Sequence, residues 1–408
     1  MSLLAGLYSP RADRLYAPEP ERYVCEETEG YLKPVYDYKT LGETLDFETA
    51  FAAGNRSGLQ RFIDLLPLDR PANLPNLPAG DTPLVEFSSL ASEGEIYFKM
   101  ENYNLAGGSY YRALATMAGV GRENDYPGLV AAPRPGREKA LVRGAAAAGL
   151  KAVLVLPERR VERTKRHLTN GHADIIAVEN NNYEEVFELV NQASGENSFY
   201  NCNDIFNPYA REGYKTVAFE IALADITPDT IFIPTVTGSL LAGIYKGFDE
   251  LKTLGWISNI PRLISVEIPP ESYIAAGFRS KDESRKDEFE DSVRRSVDGY
   301  FAREALENSG GEALVVGEKR LKQARQACRD ELGISSSRRN LAGLAGWYEF
   351  EDNLPAADKS VIILDGEEQA DVDQQPPEVH RLENTEKLED LLDKITLSGQ
   401  RNGPGEEN

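Results

Sequence analysis

From Thr82 to Leu364 the sequence alternates short apolar runs with helix signals, and that alternation leaves few folds open to it. Strand-like runs stand at Ile96–Met100, Gly128–Ala132, Ala152–Leu156, Ile175–Val178, Thr230–Pro234, Arg262–Val266 and Ser360–Leu364. Helix signals fall at Ser109–Val120, Glu138–Ala148, Glu162–Thr169, Tyr183–Gln192, Gly213–Ala224, Ser239–Lys252, Glu318–Glu331 and Asn340–Phe350. Nearly continuous apolar strands between helices predict βαβ units, and hence an α/β fold of parallel-rich sheets covered by helices. With 408 residues, 41% of them hydrophobic, the chain can bury a core large enough for two lobes.

The flanks read differently. Residues 1–81 are rich in proline, tyrosine and charge, and Pro71–Gly80 suits neither regular helix nor central strand. They are expected to form an N-terminal extension lying over the core, with short helices at Leu41–Ala53 and Gly58–Leu65. The mixed charges of Ser280–Arg295 predict a surface excursion. Residues 366–408 carry 12 acidic against 4 basic side chains. They predict an acidic tail with one amphipathic helix at Thr385–Ile395 and disorder over Ser398–Asn408.

Several function classes are disfavoured at once. Cys25, Cys202 and Cys328 have neither metal-ligand spacing nor an even count, and His167, His172 and His380 are scattered, so no metal site is expected. A net charge of −22 opposes nucleic-acid binding. No apolar run reaches the length of a membrane span, and Met1–Leu7 lacks the basic start of a signal peptide. A cytoplasmic location is the resulting expectation.

In open α/β sheets ligands collect where strands end and helices begin. Three such junctions are polar here. The first, Glu101–Arg112, contains Asn104, the pair Gly107 and Gly108, and Ser109, which could cap a helix. It is also compatible with an ordinary capped turn. The second places Arg134, Arg137 and Lys139 around a helix start, where cations oppose the macrodipole and an anionic ligand would relieve them. Side chains extending into water would serve equally. The third joins Thr235, Thr237, Gly238 and Ser239 at another helix start, which suits a phosphate or carboxylate as well as a simple hydroxyl cap.

Around these junctions the chain resembles threonine synthase and its relatives in the tryptophan synthase β superfamily, the fold type II pyridoxal-phosphate (PLP) enzymes. The resemblance runs from about Tyr23 to Leu364. It is carried by Thr82–Val85, Phe206–Tyr209, Glu212–Ile221, Leu241–Phe248, Arg303–Gly317 and Gly333–Gly346. It implies a two-lobed architecture, with residues 82–365 as the enzyme-like domain and a smaller lobe at about 109–200. It also implies PLP as the family cofactor and a dimeric partner surface.

The family's functional residues are another matter. The first junction resembles Asn-Pro-(Thr/Gly)-Gly-Ser-x-Lys-Asp-Arg, whose lysine forms the Schiff base. Here Tyr110 stands at the lysine position, or Tyr111 if one deletion is allowed. The asparagine that contacts the cofactor ring in the family is replaced by Gly136 or Arg137. Asp365 stands where the family has a Ser or Thr facing the ring nitrogen. The cofactor-phosphate loop is kept in part as Thr237, Gly238 and Ser239. Lys99 is expected to be a scaffold residue, and Lys139 falls on a helix position. Of the zinc-ribbon-like cysteines in some relatives, only Cys25 remains.

Without the lysine, covalent PLP and the usual PLP chemistry are not expected. Two readings follow. One is a pseudoenzyme or partner subunit, a homodimer or a heteromer with a related chain, binding a small anionic ligand. The other is a PLP-independent enzyme with Tyr110 or Tyr111 as acid or base and the cations holding an amino-acid-like or phosphorylated ligand. The alternative is an active PLP-dependent lyase or synthase acting on an amino acid.

Overall fold

The computed structural model describes residues 3–52, 54, 56–87, 90, 94–105, 108–166, 168, 173–179, 182–193, 199–270, 272–279, 299–332, 337–366, 378–382, 388, 390–393 and 395. Gly107, the excursion at Ser280–Arg295 and the terminal Ser398–Asn408 lie outside the described residues.

The N-terminal segment holds structure that its proline content hides. β1 (Leu4–Ser9), β2 (Arg14–Tyr16) and β3 (Lys33–Tyr36) form an antiparallel sheet in the order β2-β1-β3. The helix expected at Leu41–Ala53 is two, α1 (Tyr38–Thr44) and α2 (Phe47–Ala50). Asp46 and Thr49 exchange bonds in a capping box, which starts a second helix where one had been read. Gly58–Leu65 is a 3-10 helix. Leu7, Cys25 and Leu32 are buried in one cluster with Ala210, Val217 and Leu241, so this segment shares the main core.

The rest follows the alternation. In order come β4 (Leu84–Glu86), β5 (Glu95–Lys99), α3 (Tyr110–Glu123), β6 (Gly128–Ala131), α4 (Glu138–Ala148), β7 (Lys151–Pro157), α5 (Glu158–Lys165) and β8 (Ala173–Val178). They are followed by α6 (Tyr183–Gln192), β9 (Tyr200–Asn201), α7 (Ala210–Tyr214), α8 (Thr216–Leu223), β10 (Thr230–Pro234), α9 (Ser239–Thr253), β11 (Arg262–Glu267) and α10 (Tyr273–Arg279). Last come α11 (Gly299–Ser309), β12 (Glu312–Val315), α12 (Glu318–Leu332), α13 (Ala342–Phe350), β13 (Lys359–Ile363) and β14 (Glu378–Leu382).

Two sheets carry the fold. The larger runs β12-β11-β10-β13-β5-β4 and is parallel except for the edge strand β4. The smaller runs β14-β8-β7-β6-β9 and is parallel throughout. The expected α/β class with parallel-rich, helix-covered sheets is what the chain adopts. No described helix is long and apolar enough to cross a membrane.

The C-terminal segment differs most from its sequence reading. It is expected to be an acidic tail with one amphipathic helix at Thr385–Ile395; the described residues there are helical, but the segment also adds an unexpected strand, β14, which pairs with β8 from Glu378 opposite Asp174 to Leu382 opposite Val178. Residues 388, 390–393 and 395 are helical, and Leu388, Leu391, Leu392 and Ile395 are buried with Val155, Ile176 and Val186. Helical spacing puts these apolar residues on one face, while Asp390 and Asp393 stay exposed on the other. The acidic composition of the segment therefore coats a helix whose other side completes the small-sheet core. Leu392 is 1% exposed, and Leu392→Ala should cost about 2–5 kcal/mol of unfolding free energy, measured by urea titration. A loose appendage would show no change.

Candidate functional site

Behind the strand ends lies a fully buried polar network that fixes the site's geometry. Arg112, on the first turn of α3, is 0% exposed. Its guanidinium donates to Glu101 through Nε and Nη2 at 2.7 Å each, and to Glu220 at 2.6 and 2.7 Å. Thr82 and Thr216 accept further bonds from it. Lys99 donates to Glu220 and to the Thr82 carbonyl, both at 2.6 Å, so its amine belongs to the scaffold. Asn104, read as a ligand-binding residue, is drawn into the same network. Its Oδ1 accepts from the Gly80 amide and its Nδ2 donates to Glu101. Both polar side-chain atoms of Asn104 are engaged inside the protein.

At the first junction Tyr110 opens α3, and its hydroxyl donates to the Cys202 carbonyl at 3.2 Å. The Arg137 guanidinium lies 4.6 Å from its ring centroid. Burial, with Asp204 nearby, pushes this phenol well above its ordinary pKa. Tyr111 is also buried, its hydroxyl has no partner among the described residues, and burial raises its pKa to about 12. Neither tyrosine is poised to lose a proton near neutrality.

Ser109 was expected to cap α3, but its side chain makes no cap bond. Asp365, just beyond β13, provides the carboxylate instead. It accepts from the Ser109 amide at 2.6 Å and from the Ser109 hydroxyl at 3.0 Å. Gly108 permits this approach: its φ is +86°, and a Cβ there would lie 2.3 Å from Asp365 Oδ1. Withdrawal from water raises the Asp365 carboxyl pKa, and the bonds from Ser109 only partly offset the rise.

At the second junction the cations are pinned. Arg137 pairs with Asp204 at 2.6 Å, and Tyr214 donates to the same carboxylate at 2.9 Å. Arg134 lies over the Tyr183 ring at 4.7 Å. Glu138 accepts from the Gly136 amide at 2.7 Å and pairs with Arg160 at 2.5 Å, so an internal carboxylate occupies the start of α4. Lys139 stays partly exposed on the first turn of α4. The expectation of cations awaiting an external anion is therefore corrected for Arg137, whose counter-ion is internal. Asp204 and Tyr214 escaped the sequence reading. The polar run Asn201-Cys202-Asn203-Asp204 at the end of β9 was the available signal.

The third junction remains open. Thr235, Thr237 and Ser239 are buried at the start of α9, and Gly238 takes φ +85°. Thr235 bonds back to Ile233 O at 3.0 Å, while Thr237 and Ser239 share only long contacts of 3.4 and 3.5 Å. The amides of Gly238, Leu240 and Leu241 have no partner among the described residues. A 15-residue helix thus presents unused donors and two lightly engaged hydroxyls. Among the described residues no cluster of His, Cys, Asp and Glu could hold a metal ion.

Two predictions follow from the buried network. Arg112→Met strands two carboxylates and should cost about 3–5 kcal/mol by denaturant titration. Burial pushes Glu220 up, but Arg112 and Lys99 more than reverse this and hold it at about 2. A depressed carboxyl stabilises the fold above its unfolded pKa of about 4.3 and loses that contribution as pH falls toward 2. The wild-type melting temperature should therefore drop across that acid window, and the drop should be smaller in Arg112→Met.

Residues 76–366 match the family described as "Pyridoxal-phosphate dependent enzyme". The threonine synthase of Methanocaldococcus jannaschii is 27% identical over 84% of this chain and 87% of its own length. The threonine synthase of Methanosarcina acetivorans is 25% identical over 86% and 88%. Among solved structures, maize serine racemase superposes with a TM-score of 0.56 at 19% identity, over 78% of this chain and 93% of its own, which supports the fold. The chain is a threonine synthase-like member of the pyridoxal-phosphate dependent enzyme family.

Proposed function

We propose that this protein does not hold PLP as a Schiff base, and that it binds a small anionic ligand at the start of α9 without the lysine chemistry of its family. The observation that carries the reading is Tyr110. A phenol cannot form an imine, and this one is buried, bonded to the Cys202 carbonyl and packed under Arg137. When bound, the family cofactor supplies an electron sink for a carbanion next to nitrogen, and an enzyme lysine both activates it and moves the protons. Here Lys99, the lysine that precedes the junction on β5, is spent on Glu220 and Thr82.

Binding is favoured over catalysis for a second reason. The raised pKa values of Tyr110 and Tyr111 make both poor bases near neutrality. The unused amides and hydroxyls at the start of α9 are, by contrast, a ready seat for an oxyanion.

The test has two arms. Incubation with PLP followed by borohydride should leave no reduced pyridoxyl group on any lysine, read by mass spectrometry of the intact protein and its peptides. A lysine adduct with the matching yellow absorption would restore the alternative, an active PLP-dependent lyase or synthase. Inorganic phosphate should raise the melting temperature. Thr237→Val with Ser239→Ala should weaken its binding at least about tenfold, as expected for losing hydrogen bonds to a charged group. An unchanged affinity would remove α9 as the seat.

A further inference from the structure

A cavity of about 420 Å³ lies at the opposite end of the large sheet, where β5 and β13 begin. The three junctions described above stand where strands end, and none of their residues lines it. Its walls carry four carboxylates, from Glu95, Glu351, Asp352 and Asp358. Glu95 pairs with Lys359 at 3.5 Å. The other three have no ion pair among the described residues. Asp358 is 6% exposed and is held at 2.8 and 2.6 Å by the hydroxyls of Thr230 and Ser360, neutral donors that leave its charge uncancelled. Glu351 caps the end of α13, and Asp352 follows it in the 3-10 turn Glu351–Asn353. Acids at a helix C-terminus oppose the macrodipole, and the last turn of α13 has no basic residue to offset them. Burial and the neighbouring Asp352 raise the Glu351 pKa. Arg320, on α12, lowers it only from a distance, being paired with Glu349 at 2.8 Å.

A metal ion is not the partner these acids lack. Among the described residues no cluster of acids converges closely enough to hold one, and Ile96, Leu354 and Pro355 give the cavity an apolar wall. Trp347 supplies a separate sign of a missing group. It is 5% exposed and lines the cavity, and its indole N–H donates to no described residue. Such a donor needs an acceptor, which neither a metal ion nor a plain amine offers.

We propose that this cavity binds an organic ammonium whose short apolar body carries a neutral oxygen acceptor and no carboxylate, the chemistry of an amino-acid amide. The carboxylates of Glu351, Asp352 and Asp358 attract the ammonium, Trp347 Nε1 donates to the oxygen, and the apolar wall takes the body. The volume falls within the about 300–1,000 Å³ typical of small-molecule sites. A ligand carboxylate would meet three uncompensated acids, so the site rejects amino acids while accepting their amides. This site does not involve α9, and it stands or falls apart from the anion seat there.

Calorimetric titrations of the full chain with leucinamide, leucine, 3-methylbutylamine and calcium chloride test the assignment. Leucine carries a carboxylate in place of the amide, and 3-methylbutylamine lacks the carbonyl. Leucinamide should bind at least about tenfold more tightly than either, the worth of one well-placed polar contact. Glu351→Gln combined with Asp352→Asn, both outside the core, should weaken leucinamide by about tenfold or more. Trp347→Phe should erase its advantage over 3-methylbutylamine while amine binding persists. Calcium should not displace it. Leucine binding as tightly as leucinamide overturns the proposal, as does an affinity unchanged by the paired amide substitutions or an advantage that survives Trp347→Phe. Displacement by calcium, or no leucinamide binding at all, overturns it equally.

Discussion

The arginine at the start of α3 organises this molecule. Arg112 is fully withdrawn from water, and its five donors are satisfied by Glu101, Glu220, Thr82 and Thr216. Those partners come from both sides of β5 and from α8, so one side chain ties together the large sheet, α3 and α8. Such a centre is specific rather than strongly stabilising, because the desolvation of its charges consumes much of what their attraction returns. It also determines which residues are available for anything else. Asn104 and Lys99, both near the candidate site in sequence, are drawn into the network and removed from ligand chemistry.

Around that centre the strand ends form a set of charge balances. At two of the three helix starts the molecule supplies its own anion: Asp365 at α3 and Glu138 at α4. At the third, α9, the described residues supply none. A helix start filled from within cannot attract an external anion as an empty one does. The asymmetry leaves α9, of the three starts, without an internal anion among the described residues. Arg137 follows the same logic, since Asp204 and the Tyr110 ring take up its charge and its face.

Much of the fold was legible in the sequence, because apolar strands and helix signals alternate from Thr82 onward and the sheets obey that pattern. The elements that escaped lie where composition hides periodicity. β1 to β3 sit among prolines and tyrosines, and β14 follows an acidic stretch, yet each pairs through backbone groups that composition does not report. At the site, the sequence singled out three junctions but not the commitments of their side chains. Tyr110, Ser109 and Arg137 do converge, whereas Asn104 turns inward. Asp204 and Tyr214 come from distant segments, and their involvement depends on contacts between parts of the chain that no local spacing encodes.

The pairing of β14 with β8 bears on how the protein is made. Glu378 lies opposite Asp174, so strand partners wait across half the chain before they meet. During synthesis β6, β7 and β8 emerge early, with one edge and part of one apolar face uncovered until residues 378–395 have been made. The small sheet is thus the last unit to close. A chain truncated before Glu378 would leave an exposed parallel edge on β8 ready to recruit another strand.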